Sequence, residues 1–330
     1  MKMLISRRTQ TLRQLAILFS ACALALFGLL ALGALGQAPS AQAAASAQAA
    51  ASAQAAASAQ AAPSAQAAPA ATLGTQFPLY VSSWYYNDIL RANMTGTLGV
   101  FTRGRNLMEP WPGLAFDSHG NLYATTEFGN EVIKVSITGT QSVFANVLGA
   151  CGLAFDNNDN LYVGSESLSA LIKVDPSGAA SNVTSGGNLD LPCGVAIDSS
   201  GNVFEASEYN NTIVKVDPAG NQTVFASGGL LHYPRNLVLD SNDNLYAANF
   251  SADSSIIKID AAGNQSLLTA GGLLNFPISM AFDANGILYV ASFDNDLIVK
   301  VDGTGAQTVF ASGQNIKNPT ALAFQRPRRP

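Results

Sequence analysis

Histidine, cysteine and charged residues are all scarce in this sequence, and each scarcity excludes a kind of chemistry. The 330 residues include two histidines and three cysteines, and 12% of them are charged. No G-x-S-x-G elbow, zinc-binding spacing or glycine-rich phosphate loop is present. No nucleophile stands beside a matching base. The sequence therefore identifies no catalytic residue.

Positive charge is lacking in the body of the chain. The basic residues of the first 43 are Lys2, Arg7, Arg8 and Arg13, with no acid among them. The whole chain has 17 basic and 22 acidic residues, so the part after residue 43 has 13 and 22 and a formal net charge of −9. Such a body has no electrostatic footprint for phosphate backbones, which argues against nucleic-acid binding.

The N-terminus has the pattern of an export signal. A basic stretch to Arg13 precedes an uncharged apolar run from Leu15 to Gly36, and Ala41-Gln42-Ala43 fits a cleavage site. Residues 1–43 are predicted to be a cleaved signal peptide, with an uncleaved signal anchor as the alternative because the run is long enough to cross a bilayer. Twin-arginine export at Arg7-Arg8 and lipidation at Cys22 are weaker variants. We expect an exported protein that is secreted, periplasmic or on the cell surface, and that touches the membrane only through this segment if the segment is not cleaved.

Residues 44–75 are a low-complexity spacer. The unit SAQAAA recurs without any charged or aromatic residue, so the segment has nothing with which to build a core. Pro63 and Pro69 end any transient helix.

The rest of the chain repeats one pattern at a period close to 42 residues. An apolar phrase ends in aspartate, a turn and an L-Y-V-like phrase follow, and I-K-V comes next. The residues that end the first phrase are spaced by 39, 42, 42, 43 and 42 positions: Asp117, Asp156, Asp198, Asp240, Asp283 and Gln325. Four short strands at this period are typical of a propeller blade. The sequence predicts an all-β six-bladed β-propeller of four-stranded antiparallel blades over residues 76–330.

Particular positions in each repeat have predictable roles. The aspartate is expected to accept backbone N–H bonds in a tight turn whose fourth residue is Gly or Asp. The second strand always carries a ring that is expected to wedge between blades: Tyr80, Tyr123, Tyr162, Phe204, Tyr246 and Tyr289. The sixth blade needs both chain ends, because residues 79–102 lack a first strand and Pro319–Phe324 supply one. We expect Ala321–Phe324 to pair with Leu79–Ser83 and close the ring in a monomer.

The phrases P-x-G-hydrophobic-A-hydrophobic-D, x-x-G-N-L-Y-V and I-x-K-V resemble NHL-type repeats. They are also similar to the gluconolactonase (senescence-marker-protein) and streptogramin-lyase groups of six-bladed propellers. The resemblance covers residues 76–330. It is specific for the fold but not for the activity, because these propellers include hydrolases, lyases and binding modules.

The resemblance implies a site on the face where strand four enters strand one and strand two turns into strand three. Gluconolactonase-like enzymes hold a divalent metal there, commonly through a P-N-G phrase, but this chain has Cys151, Cys193 and Arg235 at the asparagine position. Streptogramin-lyase-like enzymes use histidines. Here His119 falls in an inner turn, and His232, which precedes an inner strand, is a candidate for lining a pocket.

A second pattern lies four residues beyond each second-strand ring. Around the propeller this position reads Trp84, Glu127, Glu166, Glu208, Phe250 and Phe293. We predict a face with an acidic half and an aromatic half, suited to a sugar or a cationic ligand, with Arg235 between the halves as an anion contact. The three glutamates are candidate Ca²⁺ ligands, given further oxygen ligands. The alternative is that the acids are solvated and the rings only anchor their loops.

Cys151 and Cys193 occupy the same place in adjacent repeats. Two buried thiols, a disulfide and a metal site are the alternatives, and export into an oxidising compartment would favour the disulfide over a metal site.

Two functions follow as hypotheses. The first is an exported propeller that binds a small polar ligand, a carbohydrate or a protein partner at the channel mouth. The second is a metal-dependent, gluconolactonase-like hydrolase, for which calcium would be the cofactor.

Overall fold

The computed structural model describes residues 77–104, 106–127, 130–313 and 315–325, and these form six four-stranded sheets. The fold is the predicted all-β propeller. The predicted signal segment (1–43) and spacer (44–75) lie outside the described residues. Within the described ranges, no helix has the length and hydropathy needed to cross a membrane.

Each blade runs from an innermost strand, which contacts the innermost strands of its neighbours, to an outermost strand at the rim. The strands of blades 1 to 3, from the innermost outward, are β24 (Pro319–Phe324), β1 (Leu79–Ser83), β2 (Asp88–Ala92) and β3 (Leu98–Arg103); β4 (Pro110–Phe116), β5 (Leu122–Thr126), β6 (Glu131–Val135) and β7 (Gln141–Asn146); and β8 (Ala150–Phe155), β9 (Leu161–Ser165), β10 (Ala170–Val174) and β11 (Ala180–Ser185). Those of blades 4 to 6 are β12 (Pro192–Ile197), β13 (Val203–Ser207), β14 (Thr212–Val216) and β15 (Gln222–Ser227); β16 (Pro234–Leu239), β17 (Leu245–Asn249), β18 (Ser255–Ile259) and β19 (Gln265–Ala270); and β20 (Pro277–Phe282), β21 (Leu288–Ser292), β22 (Leu297–Val301) and β23 (Gln307–Ala311).

The C-terminal strand closes the ring. Strand β24 pairs antiparallel with β1, with Leu79 opposite Phe324 and Ser82 opposite Ala321. The predicted pairing is confirmed, and blade 1 is completed by both ends of the propeller sequence. This join removes a sheet edge that an open ring would expose.

The recurring residues of the internal repeat make the contacts that the sequence predicts. Asp117 Oδ1 accepts backbone N–H bonds from His119 at 3.0 Å and Asn121 at 2.8 Å, which holds the β4–β5 turn. The ring of Tyr80 contacts Phe101 of its own blade at 5.0 Å and Phe116 of the next blade at 5.1 Å, both edge to face. The rings of Tyr123, Tyr246 and Tyr289 likewise contact a phenylalanine of the next blade, so these second-strand rings join neighbouring blades.

Glycine in the inner strands is required by the close approach of backbones. A Cβ on Gly152 would collide with the carbonyl oxygen of Cys193, and one on Gly194 would lie 2.7 Å from the Cα of Asn236. The glycine of the P-x-G phrase therefore lets adjacent inner strands pack at the axis.

The antiparallel order of the strands sorts the loops onto two faces. The site face carries the loops from second to third strands and from fourth to first strands. The opposite face carries the loops from first to second and from third to fourth strands.

Candidate functional site

The six residues of the second pattern are equivalent in the structure and lie on the site face. Each donates its backbone N–H to the carbonyl of the residue that precedes an inner strand, at distances between 2.9 and 3.4 Å. The pairs are Trp84–Asn318, Glu127–Glu109, Glu166–Gly149, Glu208–Leu191, Phe250–Tyr233 and Phe293–Phe276. The repeat spacing therefore located a ring of equivalent positions around the channel mouth.

The residue before each inner strand adopts the left-handed backbone conformation, which is strained for bulky side chains. All six have φ between 47° and 64°, including the bulky Leu191, Tyr233 and Phe276. Bulky side chains rarely adopt this region, at a cost of about 1–3 kcal/mol each. The strain is offset locally: the Tyr233 N–H donates to Asn211 Oδ1 at 2.7 Å, and the Phe276 N–H to Ser254 Oγ at 3.0 Å.

Arg235 is the centre of the site. As second residue of β16 it belongs to blade 5, yet its guanidinium lies 4.8 Å from the ring of Trp111 in blade 2, the blade opposite in a ring of six. The side chain therefore reaches across the channel mouth. It also contacts the Phe250 ring at 5.0 Å, and only 12% of it is exposed.

Two glutamates flank the guanidinium. Arg235 Nη2 donates to Glu166 Oε1 at 3.2 Å, and Nε lies 3.4 Å from Glu208 Oε1 without hydrogen-bond geometry. Burial raises the pKa of Glu208 to about 7; the charge of Arg235 opposes the shift, and that of Glu166 adds to it. The net charge of this cluster therefore changes near neutral pH.

The predicted acidic and aromatic halves have contacts within them and between them. Phe250 and Phe293 of the aromatic half pack together, with ring centroids 6.1 Å apart. Trp84 Nε1 donates to Glu127 Oε2 at 2.8 Å across a border between the two halves, because these residues are neighbours in the ring of six. The two other glutamates face a guanidinium. A Ca²⁺ ion between them would have to displace Arg235, and the described residues do not gather all three glutamates into one metal-binding group.

The cysteines are joined. A disulfide links Cys151 of β8 to Cys193 of β12, with a Cα–Cα distance of 5.0 Å, and both residues are fully buried. The bond connects the inner strands of blades 3 and 4 at the channel mouth. Of the three alternatives that the sequence leaves open, the structure has the disulfide.

The two histidines lie on opposite faces. His232 is on the site face, with its side chain 55% exposed and Nδ1 3.0 Å from Asp253 Oδ2. His119 is in the β4–β5 turn of the opposite face, 3.4 Å from Asp159. They therefore cannot act as a pair in one site.

Sequence reasoning missed a buried carboxyl group in blade 4. Glu205 is fully buried in β13, and neither of its oxygens has a hydrogen-bond partner among the described residues. Burial raises its pKa to about 8. Its Oε1 lies 3.2 Å from the point that a Cβ on Gly164 would occupy, so this glycine of blade 3 makes room for it. The sequence did contain a signal for this group, because the residues at the equivalent position of the other five repeats are all apolar: Val81, Ala124, Val163, Ala247 and Val290.

Exposed apolar side chains are concentrated on the site face. Among the described loop residues, seven large apolar side chains are exposed on this face and two, Met94 and Ile137, on the opposite face. The seven are Tyr85, Tyr86, Met108, Leu148, Leu168, Tyr209 and Leu230. They are spread over the site-face loops of blades 1 to 5.

Comparison with known proteins gives likeness at the level of fold. No family model and no curated protein matches the sequence. Virginiamycin B lyase from Staphylococcus aureus matches with a TM-score of 0.54 and 15% identity, over 64% of this chain and 73% of that one. A streptogramin B lyase matches with 0.55 and 14%, over 74% and 76%. A chain of the nidogen/laminin complex matches with 0.67 and 16%, over 76% and 99%.

These matches confirm the predicted resemblance to propellers of the streptogramin-lyase and NHL type. At such low identity the likeness concerns the fold alone. The gluconolactonase part of the resemblance finds no support in them.

Proposed function

We propose that this chain is an exported recognition propeller that binds a protein partner on its site face. The observation that carries the proposal is the larger number of exposed tyrosine, methionine and leucine side chains on the site face, the face on which Arg235 lies. Tyr, Met and Arg are enriched at protein–protein interfaces relative to the rest of the surface. The propeller in the nidogen/laminin complex supports the idea that this fold can engage a protein.

A small ligand fits the site face less well than a protein surface. Arg235 and Trp111 meet across the channel mouth, where a sugar or other small polar ligand would otherwise enter. Two cavities, of about 190 and 340 Å³, are lined by residues of the opposite face such as Gly120 and His119. The exposed tyrosines instead present broad rings of the kind that anchor a protein interface.

The hydrolase alternative finds little support in this geometry. A gluconolactonase-like mechanism needs an exposed metal held by free oxygen ligands, whereas Glu166 and Glu208 are paired with Arg235. His232 is paired with Asp253, and the described site face supplies no second histidine.

The proposal is tested with matched positions on the two faces. A photo-crosslinking residue at Tyr209, which is 63% exposed, should capture the partner in intact cells, whereas one at Ile137, 51% exposed on the opposite face, should not. With the captured protein purified, Tyr209→Ala should weaken its binding by at least about tenfold, the effect of an interface anchor, and Ile137→Ala should leave the Kd unchanged. Equal capture at both positions, or equal affinity of both variants, would overturn the proposal.

A further inference from the structure

The disulfide at the channel mouth has a third potential metal ligand beside it. Cys151 and Cys193 occupy the second position of the inner strands of blades 3 and 4. Glu166 is in the site-face loop that follows β9 of blade 3. One carboxylate oxygen of Glu166 and the two sulfur atoms all lie within 4.8 Å of one another. Two sulfurs and an oxygen from adjacent blades therefore converge on one point.

This donor set suits a thiophilic metal and not calcium. Zn²⁺ takes four ligands in a tetrahedron, at about 2.3 Å from thiolate and about 2.1 Å from carboxylate, which sets ligand atoms about 3.5 Å apart. To reach that spacing from the present one, in which all three atoms lie within 4.8 Å of one another, the two sulfurs must move apart once their bond is broken and the Glu166 oxygen must move closer to them. Once the sulfur–sulfur bond is broken, the Cα–Cα distance of 5.0 Å keeps both cysteines within reach of one ion. Calcium instead requires six to eight oxygen ligands.

The charges around this point favour a divalent ion. Two thiolates and the Glu166 carboxylate carry three negative charges, and Arg235, whose guanidinium is 3.2 Å from Glu166 and 3.4 Å from the further acidic group Glu208, contributes one positive charge. A divalent cation offsets most of the remaining negative charge, which matters because both cysteines are fully buried. The Glu166 side chain is 28% exposed, so the fourth ligand position has access to water.

We propose that the reduced chain binds one Zn²⁺ or similar thiophilic divalent ion through Cys151, Cys193 and Glu166. The disulfide and the metal are then alternative links between blades 3 and 4. Reduction adds two electrons and two protons to the disulfide and yields two thiols, while a dithiol reductant becomes a disulfide. Metal binding then releases the two thiol protons to solvent, because the thiolate is the ligand.

The test uses the full chain and Co²⁺ as a spectroscopic probe. Protein refolded without oxygen in a trialkylphosphine, which takes up one water oxygen as it reduces the disulfide, is titrated with Co²⁺. We expect a thiolate-to-cobalt charge-transfer band and the visible bands of a tetrahedral site, saturating at one ion per chain and displaced by Zn²⁺. Oxidised protein should show neither set of bands.

Matched variants separate this site from adventitious binding. Cys193→Ser should abolish the charge-transfer pattern of two thiolates. Glu166→Gln should weaken Co²⁺ affinity by at least about tenfold, whereas Glu127→Gln, at the equivalent position of blade 2, should not change it. Both glutamine variants keep both cysteines, so they decide the question even if the serine variant fails to fold. No cobalt–thiolate band in the reduced protein, or equal affinity of the two glutamine variants, would overturn the proposal.

Discussion

Glu205→Gln is expected to stabilise the propeller at neutral and alkaline pH but much less in acid. The pKa of Glu205 is raised from the ordinary 4.5 to about 8 because the carboxyl group is buried without a partner. Below pH 4.5 the group is neutral in both states, so its pKa shift has no effect on stability. As pH rises from 4.5 to 8 the unfolded chain loses this proton while the folded chain keeps it, so the stability of the parent falls.

The size of the effect follows from the shift. At about 1.36 kcal/mol per pKa unit, the cost to the folded parent is about 1 kcal/mol at pH 5 and about 4 kcal/mol at pH 7.5. Glutamine does not ionise, so the advantage of the variant over the parent should grow by about 3 kcal/mol between these two pH values. The test compares the stability advantage of the variant at two pH values. Any cost of fitting the glutamine amide beside Gly164 that does not depend on pH therefore cancels.

The measurement is guanidinium unfolding at pH 5, 6.5 and 7.5 with the disulfide intact. Fluorescence of Trp84 and Trp111, the two tryptophans of the chain, reports on the channel mouth. Glu131→Gln, in β6 of blade 2, is the control for loss of a carboxyl group away from the Glu205–Gly164 contact. Its stability relative to the parent should show no comparable change between these pH values. If the advantage of Glu205→Gln is the same at pH 5 and pH 7.5, the reasoning from burial is wrong.

Three further predictions concern the closure, the export and the channel mouth. Deletion of residues 319–330 should abolish the cooperative unfolding of the whole propeller because blade 1 loses its inner strand; a melting temperature within a few degrees of the parent would contradict the closure. N-terminal sequencing of the native protein should find a start near Ala44 outside the cytoplasm, whereas a start at Met1 in the membrane fraction would favour the anchor. Arg235→Met should lower the free energy of unfolding by about 3 kcal/mol at pH 8, because it leaves Glu166 and Glu208 without their cation. The loss should be smaller at pH 5, where Glu208 is neutral. An equal loss at both pH values would contradict the ion-pair account.

The fold could be predicted because its determinants are local and repeated. The aspartate of each inner turn and the ring of each second strand act within one repeat or on the next, so their spacing suffices. The closure by β24 followed from counting strands at the two ends. The six equivalent residues from Trp84 to Phe293 were found in the same way, because the repeat spacing places the same position just after the second strand in every blade.

The contacts of the site could not be predicted, because they join residues without a fixed spacing. Arg235 meets Trp111 across the channel, and this contact depends on the length of one side chain and not on the repeat. Leu191, Tyr233 and Phe276 adopt positive φ although their residue types give no hint of it. The hydrogen bond of Trp84 to Glu127, at a border between the predicted aromatic and acidic halves, likewise depends on side-chain rotamers.

Methionine oxidation in the native setting tests the central claim, that the site face is the one that binds a partner. Met108 is 65% exposed on the site face and Met94 is 51% exposed on the opposite face, so the chain supplies its own matched pair of probes. In the purified protein both should oxidise readily with peroxide, as exposed methionines do. In intact cells Met108 should be protected and Met94 should still oxidise. Equal oxidation of the two in cells, or protection of Met94 alone, would contradict the account.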